Sequence, residues 1–301
     1  MPSKPQLSVI IASFNAEKTI AACLESLENQ TTDRSFEIIV VDSSTDSTAE
    51  LVEKRFPQVR LCRFPERRFC GGARNWGISV ARGEIIAFID ADCQAEQNWV
   101  EEILKAHESP HPAIGGAIAN ANPESYIGWA AYFCEFSHWM PGTQPRWLDD
   151  IAGANMSYKK EIFDKYGSFI EGTYCSDTDF HWRIGQDAHR LRFVPSILVS
   201  HYNIDDLEEF LKHEFYHGRC FAQVRIQGQN FSRWKRLVYV TFLPLIPLRI
   251  FLKVAFNSIR NRIYFHQFLK ASPLVVLGLI WWSMGEAVGY ATGSKASSGL
   301  I

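Results

Sequence analysis

No cysteine pair in this chain stands at C-x-x-C spacing, and the seven cysteines (Cys23, Cys62, Cys70, Cys93, Cys134, Cys175, Cys220) form no zinc-ligand pattern. Their number is odd, so they read as reduced thiols, several of them buried as small hydrophobes. That points to a reducing compartment. Neither G-x-G-x-x-G nor G-x-x-x-x-G-K-[ST] occurs, which removes the main signal for a dinucleotide or P-loop site. Internal repeats and low-complexity tracts are also missing. Acid is missing from one region only. Residues 215–285 hold ten Lys and Arg and no Asp or Glu. Residues 1–214 hold 20 basic and 32 acidic residues, so the formal net charge of −2 conceals a division. An acidic front is a poor partner for nucleic acid, and no nucleic acid is expected to bind. A basic, apolar rear suits an anionic membrane surface.

The chain has 301 residues, enough for one large domain or two modest ones. Hydrophobic residues at 47% against 21% charged mark a folded protein rather than a disordered one. The opening Met1-Pro2-Ser3-Lys4-Pro5 leads straight into a strand-like run, and no signal peptide is expected there.

Strand and helix signals alternate in the first half. Apolar runs at Leu7–Ala12, Phe36–Val41, Val59–Phe64 and Glu84–Ile89 read as strands. Between and after them, helical spacing predicts helices at Ile20–Leu27, Thr48–Phe56, Gly72–Ala81 and Asn98–His107. Such alternation implies βαβ units and a mostly parallel sheet flanked by helices. After residue 110 the pattern weakens. Trp129, Phe133 and Phe136 fall at i, i+4, i+7 and predict a helix packed on a core. A late strand is expected at Leu191–Ser200 and a long helix at Leu207–Gln227. The predicted division is an α/β domain over 1–215 and a helical tail over 216–301. In that tail Leu237–Phe256 is apolar but interrupted by Pro244 and Pro247, and Ser272–Thr292 is apolar except for Glu286. Interrupted apolar segments around a basic stretch suit an interfacial or re-entrant anchor better than two clean spans; the alternative is a buried helical hairpin.

Three strand ends carry polar residues: Ser13-Phe14-Asn15, Asp42-Ser43-Ser44-Thr45-Asp46-Ser47 and Asp90-Ala91-Asp92. Ligands of open α/β sheets bind at the carboxyl ends of the strands. Paired acids there suit a divalent cation carrying a phosphorylated ligand. An isolated D-x-D is as readily a solvated turn, so its neighbours must decide.

Five ordered blocks decide it. They are Leu7–Asn15, Ile39–Thr48, Gly71-Gly72-Ala73-Arg74-Asn75-Trp76-Gly77-Ile78, Phe88–Asp92 and Asp177-Thr178-Asp179-Phe180-His181-Trp182-Arg183. Together, over roughly residues 6–220, they resemble the family 2 inverting glycosyltransferases of GT-A fold, of a membrane-associated, non-processive type. The resemblance implies transfer of a sugar from a nucleotide-diphosphate sugar, usually UDP-linked, to a hydroxyl of a lipid-linked or membrane-proximal glycan. It places Ala12 and Phe14 at the donor, with Phe14 stacking on the base. It also places there Asp42 at the uracil N–H, Arg74 near the base and diphosphate, and Asp90 on the ribose side. Asp92 would hold Mn²⁺ or Mg²⁺, and His201, ending the late strand, would complete the metal site. Asp177 would be the general base, with a helix N-terminal cap as its competing role. Asp179 and Arg183 are expected to pair at i, i+4. Ser176 stands where the family usually has Glu. His181, His213 and His217 are expected on helix faces without a metal-like partner. Gln229–Trp234 imitates the processive Gln-x-x-Arg-Trp motif with one residue too many. The implied location is the cytoplasmic face of the cell membrane, held by the C-terminal segment. Two other readings stand beside this one: a nucleotidyltransferase, which lacks its usual glycine-rich triphosphate loop here, and a non-catalytic sugar-nucleotide-binding scaffold.

Overall fold

The structure is a computed structural model describing residues 4–187, 190–242 and 245–293. Pro244 and the first three residues therefore lie outside the described residues.

In chain order the first elements are β1 (Leu7–Ser13), α1 (Ile20–Glu28), β2 (Phe36–Asp42), α2 (Thr48–Arg55), β3 (Arg60–Arg63), α3 (Cys70–Val80) and β4 (Ile85–Ile89). This is the predicted alternation. β1 is apolar at nearly every position because the sheet is covered on both faces, and the buried hydroxyl in its middle, Ser8, is satisfied, whereas that of Ser13 at its end has no hydrogen-bond partner among the described residues. Ser8 Oγ donates to Glu37 Oε1 at 2.7 Å and accepts from the Gly83 N–H at 2.8 Å. α1 turns Ile20, Cys23, Leu24 and Leu27 inward, one apolar stripe at helical spacing.

β5 (Cys93–Ala95), α4 (Trp99–His107), β6 (Ala113–Asn120), α5 (Tyr126–Phe136), β7 (Arg146–Leu148), β8 (Asn155–Lys159), α6 (Glu161–Tyr166), α7 (Ser176–Gly185) and β9 (Leu191–His201) follow. The sheet runs β3-β2-β1-β4-β8-β6-β9-β5, with β7 paired to β9. The pairs β1–β2, β2–β3 and β1–β4 are parallel. β8 enters antiparallel between β4 and β6, β6 and β9 are parallel again, and β5 and β7 edge β9 antiparallel. The sheet is thus parallel where the sequence is most legible and mixed beyond it.

By contacts the chain forms two compact units. The first runs through Ala121 and adds Thr143–Gly172 and Ser176–Tyr202. It contains the whole sheet and a core around Ile10, Phe88, Tyr158, Phe169 and Phe180. The second contains Asn122–Gly142, Thr173–Cys175 and the chain from Asn203 onward. Its long elements are α8 (Leu207–Gly228), α9 (Arg233–Thr241), α10 (Leu245–Asn261) and α11 (Phe265–Thr292). The units group the chain differently from a single cut at 215, because the aromatic helix α5 packs on α11. Phe133 and Phe268 meet edge to face at 5.4 Å between ring centroids. α8 and α11 approach backbone to backbone: a Cβ on Gly218 would strike the Trp282 carbonyl, and one on Gly285 the Phe215 carbonyl. Among the described residues, α11 alone is by itself long and apolar enough to cross a membrane, by length and composition.

Candidate active site

Every residue expected in the site belongs to the first unit. The parallel register sets Ser13 beside Asp42, so the ends of β1 and β2 are level. Asp90 follows directly from β4, the other neighbour of β1. The three polar strand ends therefore share one rim, as expected. Ala12 sits on β1 one residue before that edge.

Asp42 is buried, and Ser44 closes a local turn on it. The Ser44 N–H donates to Oδ2 at 3.1 Å and the Ser44 hydroxyl to Oδ1 at 2.6 Å. The next loop is tied back by Asn15, whose backbone is left-handed (φ 50°) and whose Oδ1 accepts the Thr45 N–H at 2.9 Å. Phe14 does not present two free faces. The Arg67 guanidinium lies over its ring at 4.0 Å and over Phe69 at 4.9 Å. Arg67 was not singled out in the sequence. Its only signal there is its place in a basic pair just before the Gly71-Gly72 helix start.

Arg74 is 5% exposed and anchors the centre of the site. Its Nη2 donates to Asp90 Oδ1 at 3.1 Å and to the Gly153 carbonyl at 3.2 Å. Burial acts against the guanidinium charge, but the Asp90 carboxylate, with Cys70 and Asp177 behind it, raises the pKa above the usual arginine value. Asp177 is the third member of this group. It stands in the first turn of α7, where an anion is favoured by the helix N-terminus. The residue two before it, Cys175, is left-handed at φ 59°, a sharp entry to the helix. Gly153 separates Asp177 from Arg74. A Cβ there would come 2.6 Å from Asp177 Oδ2 and 2.9 Å from Arg74 Nη2. Gly153→Ala should therefore displace the carboxylate and guanidinium together; if Asp177 acts on the substrate, kcat falls by about tenfold or more, since small misplacements at reacting groups are costly. A steady-state assay beside a melting curve checks this; unchanged kcat in a folded variant would show that the pair is not held by Gly153.

Ser176, the departure from the family pattern, is 2% exposed and packs against Gly71, whose absent Cβ would lie 3.1 Å from it. Further along α7, Asp179 and Arg183 form the expected i, i+4 pair at 3.0 Å. Arg183 also donates to the Tyr166 and Ser168 carbonyls, tying the end of α6 and the loop after it to α7. His181 is on the inner face of the helix rather than idle. Its Nδ1 bonds Asp150 and its Nε2 lies 2.6 Å from the Tyr158 hydroxyl. Asp150 Oδ2 also accepts from Thr178 at 3.3 Å. Burial first, then the Asp177 charge, raise the Tyr158 pKa well above the usual value, so this tyrosine stays protonated.

Asp92 meets His201. The antiparallel ladder of β5 and β9 sets Cys93 opposite His201, and the Tyr202 N–H donates to the Asp92 carbonyl at 2.9 Å. His201 Nε2 lies 3.3 Å from Asp92 Oδ1. An imidazole nitrogen and a carboxylate oxygen at that spacing can share one divalent cation. Cys93 Sγ completes a cluster with them in space. Burial, reinforced by Asp92 and Asp90, raises its thiol pKa well above the usual value.

The mixed sheet with its flanking helices and acidic rim resembles the GT-A fold. Residues 8–167 match the sequence profile described as "Glycosyl transferase family 2", and the chain belongs to that family. It is 40% identical over 200 residues to the putative glycosyltransferase EpsH of Bacillus subtilis (strain 168), covering 63% of this chain and 50% of that protein. The chain thus spans about half the length of that relative. It is 27% identical over 255 residues to glycosyltransferase AglE of Haloferax volcanii, covering 81% of this chain and 83% of AglE. Among solved structures it resembles the mannosyltransferase PcManGT from Pyrobaculum calidifontis in complex with GDP-Man and Mn²⁺. That likeness has a TM-score of 0.61 at 17% identity and covers 97% of this chain and 87% of that one, which speaks to the fold alone.

Proposed function

We propose that this protein is an inverting glycosyltransferase that moves a sugar from a nucleotide-diphosphate sugar, UDP-linked, to a hydroxyl of a lipid-linked or membrane-proximal glycan. The observation that carries the reading is the contiguous set Asp177–Gly153–Arg74–Asp90 at the sheet rim that also holds Asp42 and Asp92. Asp177 takes the proton of the acceptor hydroxyl. Arg74 holds Asp90 in place on the ribose side, and Asp42 and Phe14 address the base. Asp92 and His201 would hold Mn²⁺ or Mg²⁺, which supplies charge neutralisation for the departing nucleotide diphosphate. PcManGT, with its GDP-Man and Mn²⁺, supports a divalent ion and a nucleotide sugar here. A base on the acceptor side and a cation on the leaving-group side give single displacement with inversion.

Thermal stabilisation by a panel of UDP- and GDP-sugars tests the donor. With Mn²⁺ present, one donor should raise Tm by several degrees, because a ligand bound only by the folded state stabilises it. Asp92→Ala should remove the Mn²⁺-dependent part. If no nucleotide sugar shifts Tm in the unaltered protein, the donor assignment fails.

The acceptor reading rests on α10. Leu245, Leu248, Leu252, Phe256 and Ile259 recur at three- and four-residue spacing and are each more than half exposed. Arg249, Lys253 and Arg260 lie among them. An exposed apolar stripe with interspersed cations suits a helix lying in an anionic membrane interface, here the cytoplasmic face. The full chain should pellet with anionic vesicles, and Leu252→Glu with Phe256→Glu should move most of it to the supernatant. Equal pelleting of the variant would remove α10 as the contact.

A further inference from the structure

The second unit carries a cluster that neither the donor nor the base uses. The expectation that His213 and His217 lack a metal-like partner is overturned here. α8 places them one turn apart on the same face, and α5 brings Glu135 to them. Glu135 Oε1 lies 3.0 Å from His213 Nε2. The two imidazole rings are 5.8 Å apart between centroids. One nitrogen of each histidine and one Glu135 oxygen all lie within 4.8 Å of one another. Tyr174 lies against both rings, at 5.9 Å from His213 and 6.5 Å from His217. Beside the cluster, Glu214 is 2% exposed and its Oε1 lacks a hydrogen-bond partner. Two carboxyls and two imidazoles thus share a confined, partly buried space. Cys134, next to Glu135, is not part of it: its thiol donates to the Val275 carbonyl at 3.7 Å.

The donor set identifies the class of ion. Two imidazoles at i, i+4 with one carboxylate favour zinc, whereas carboxylate and water ligands favour Mg²⁺ or Mn²⁺. In a tetrahedral site with bonds of roughly 2.0–2.2 Å, neighbouring donor atoms stand a little over 3 Å apart. The three donors, all within 4.8 Å of one another, are near that spacing without being at it. The ligands come from helices far apart in the chain, so a bound ion would cross-link α5 to α8.

We propose that Glu135, His213 and His217 form a zinc site within the second unit, separate from the Asp92–His201 pair, that pins α5 to α8. A water or a neighbouring oxygen takes the fourth position.

The test uses the full-length chain carrying Asp92→Ala, so that the first-unit pair cannot contribute. The protein is stripped with a chelator, titrated with zinc chloride against a chromophoric chelator, and its bound zinc counted by elemental analysis. One zinc per chain is expected, with Tm raised on loading. Adding His217→Gln should weaken zinc binding by about tenfold or more. Glu135→Gln, which keeps a hydrogen bond to His213 and so protects folding, should weaken it similarly. A metal-free melting curve matching the parent shows that each variant is folded. Failure of the Asp92→Ala chain to bind zinc, or zinc affinity in both folded variants equal to that of their Asp92→Ala parent, overturns the proposal.

Discussion

Asp177→Asn should reduce sugar transfer by about 10²–10⁴-fold, the range a positioned general base contributes. Asparagine keeps the shape and an acceptor oxygen but cannot take the acceptor proton. Asp177 has a competing role at the start of α7, where loss of its charge costs only about 0.3–1 kcal/mol of helix stabilisation. The two roles separate cleanly. A base predicts a large fall in kcat with donor binding and Tm almost unchanged. A purely structural residue predicts a small Tm loss with kcat kept. The measurement is single-turnover transfer together with donor-induced thermal stabilisation. Transfer at the rate of the unaltered protein would remove Asp177 from the chemistry.

Asp90→Ala should destabilise the first unit by about 3 kcal/mol. Arg74 is almost fully buried, and Asp90 is its one direct ion-pair partner among the described residues. Stranding a buried charge typically costs about 3–5 kcal/mol, and the lower end applies because the Asp90 side chain is 32% exposed and water reaches it. For a unit of this size that corresponds to a Tm lower by about 6–12 °C. Asp90→Asn leaves an acceptor for Arg74 Nη2 and should cost about 1 kcal/mol. Urea titrations of both variants check the contrast. Equal losses in the two would mean that shape, not charge, holds Arg74.

The first four strands and their helices were legible because both faces of the parallel sheet are covered, which leaves unbroken apolar runs such as Val9-Ile10-Ile11 and Ile38-Ile39-Val40-Val41. β6 and β8 were not legible, for two separate reasons. β6 contains Gly115 and Gly116, which read as a loop. Both are required by close approach: a side chain at Gly115 would collide with Ile151, and one at Gly116 with Asn155 and the Ile197 carbonyl. β8 buries polar residues. Asn155 donates to the Ala117 and Ile197 carbonyls and accepts from Trp99 Nε1, and Ser157 meets His107 at 2.9 Å. A strand whose polar groups are satisfied by its neighbours cannot be told from a surface segment by hydropathy. The same limit applies to the side-chain clusters. Asp42, Asp90 and Asp92 announce themselves at strand ends, whereas the Asp150–His181–Tyr158 chain and the Glu135–His213 pair exist only through tertiary packing. Arg67 over Phe14 is of the same kind.

The pairing of β5 with β9 has a consequence for the order in which the protein becomes competent. Asp92 emerges early in synthesis, but the histidine 3.3 Å from it belongs to the last strand of the sheet. A nascent chain that has completed β1 to β4 already holds Asp42, Arg74 and Asp90, yet it has no imidazole at the acidic rim. That arrives only when β9 slots between β6 and β5. On the role proposed for Asp92 and His201, metal affinity at this rim would report completion of the sheet.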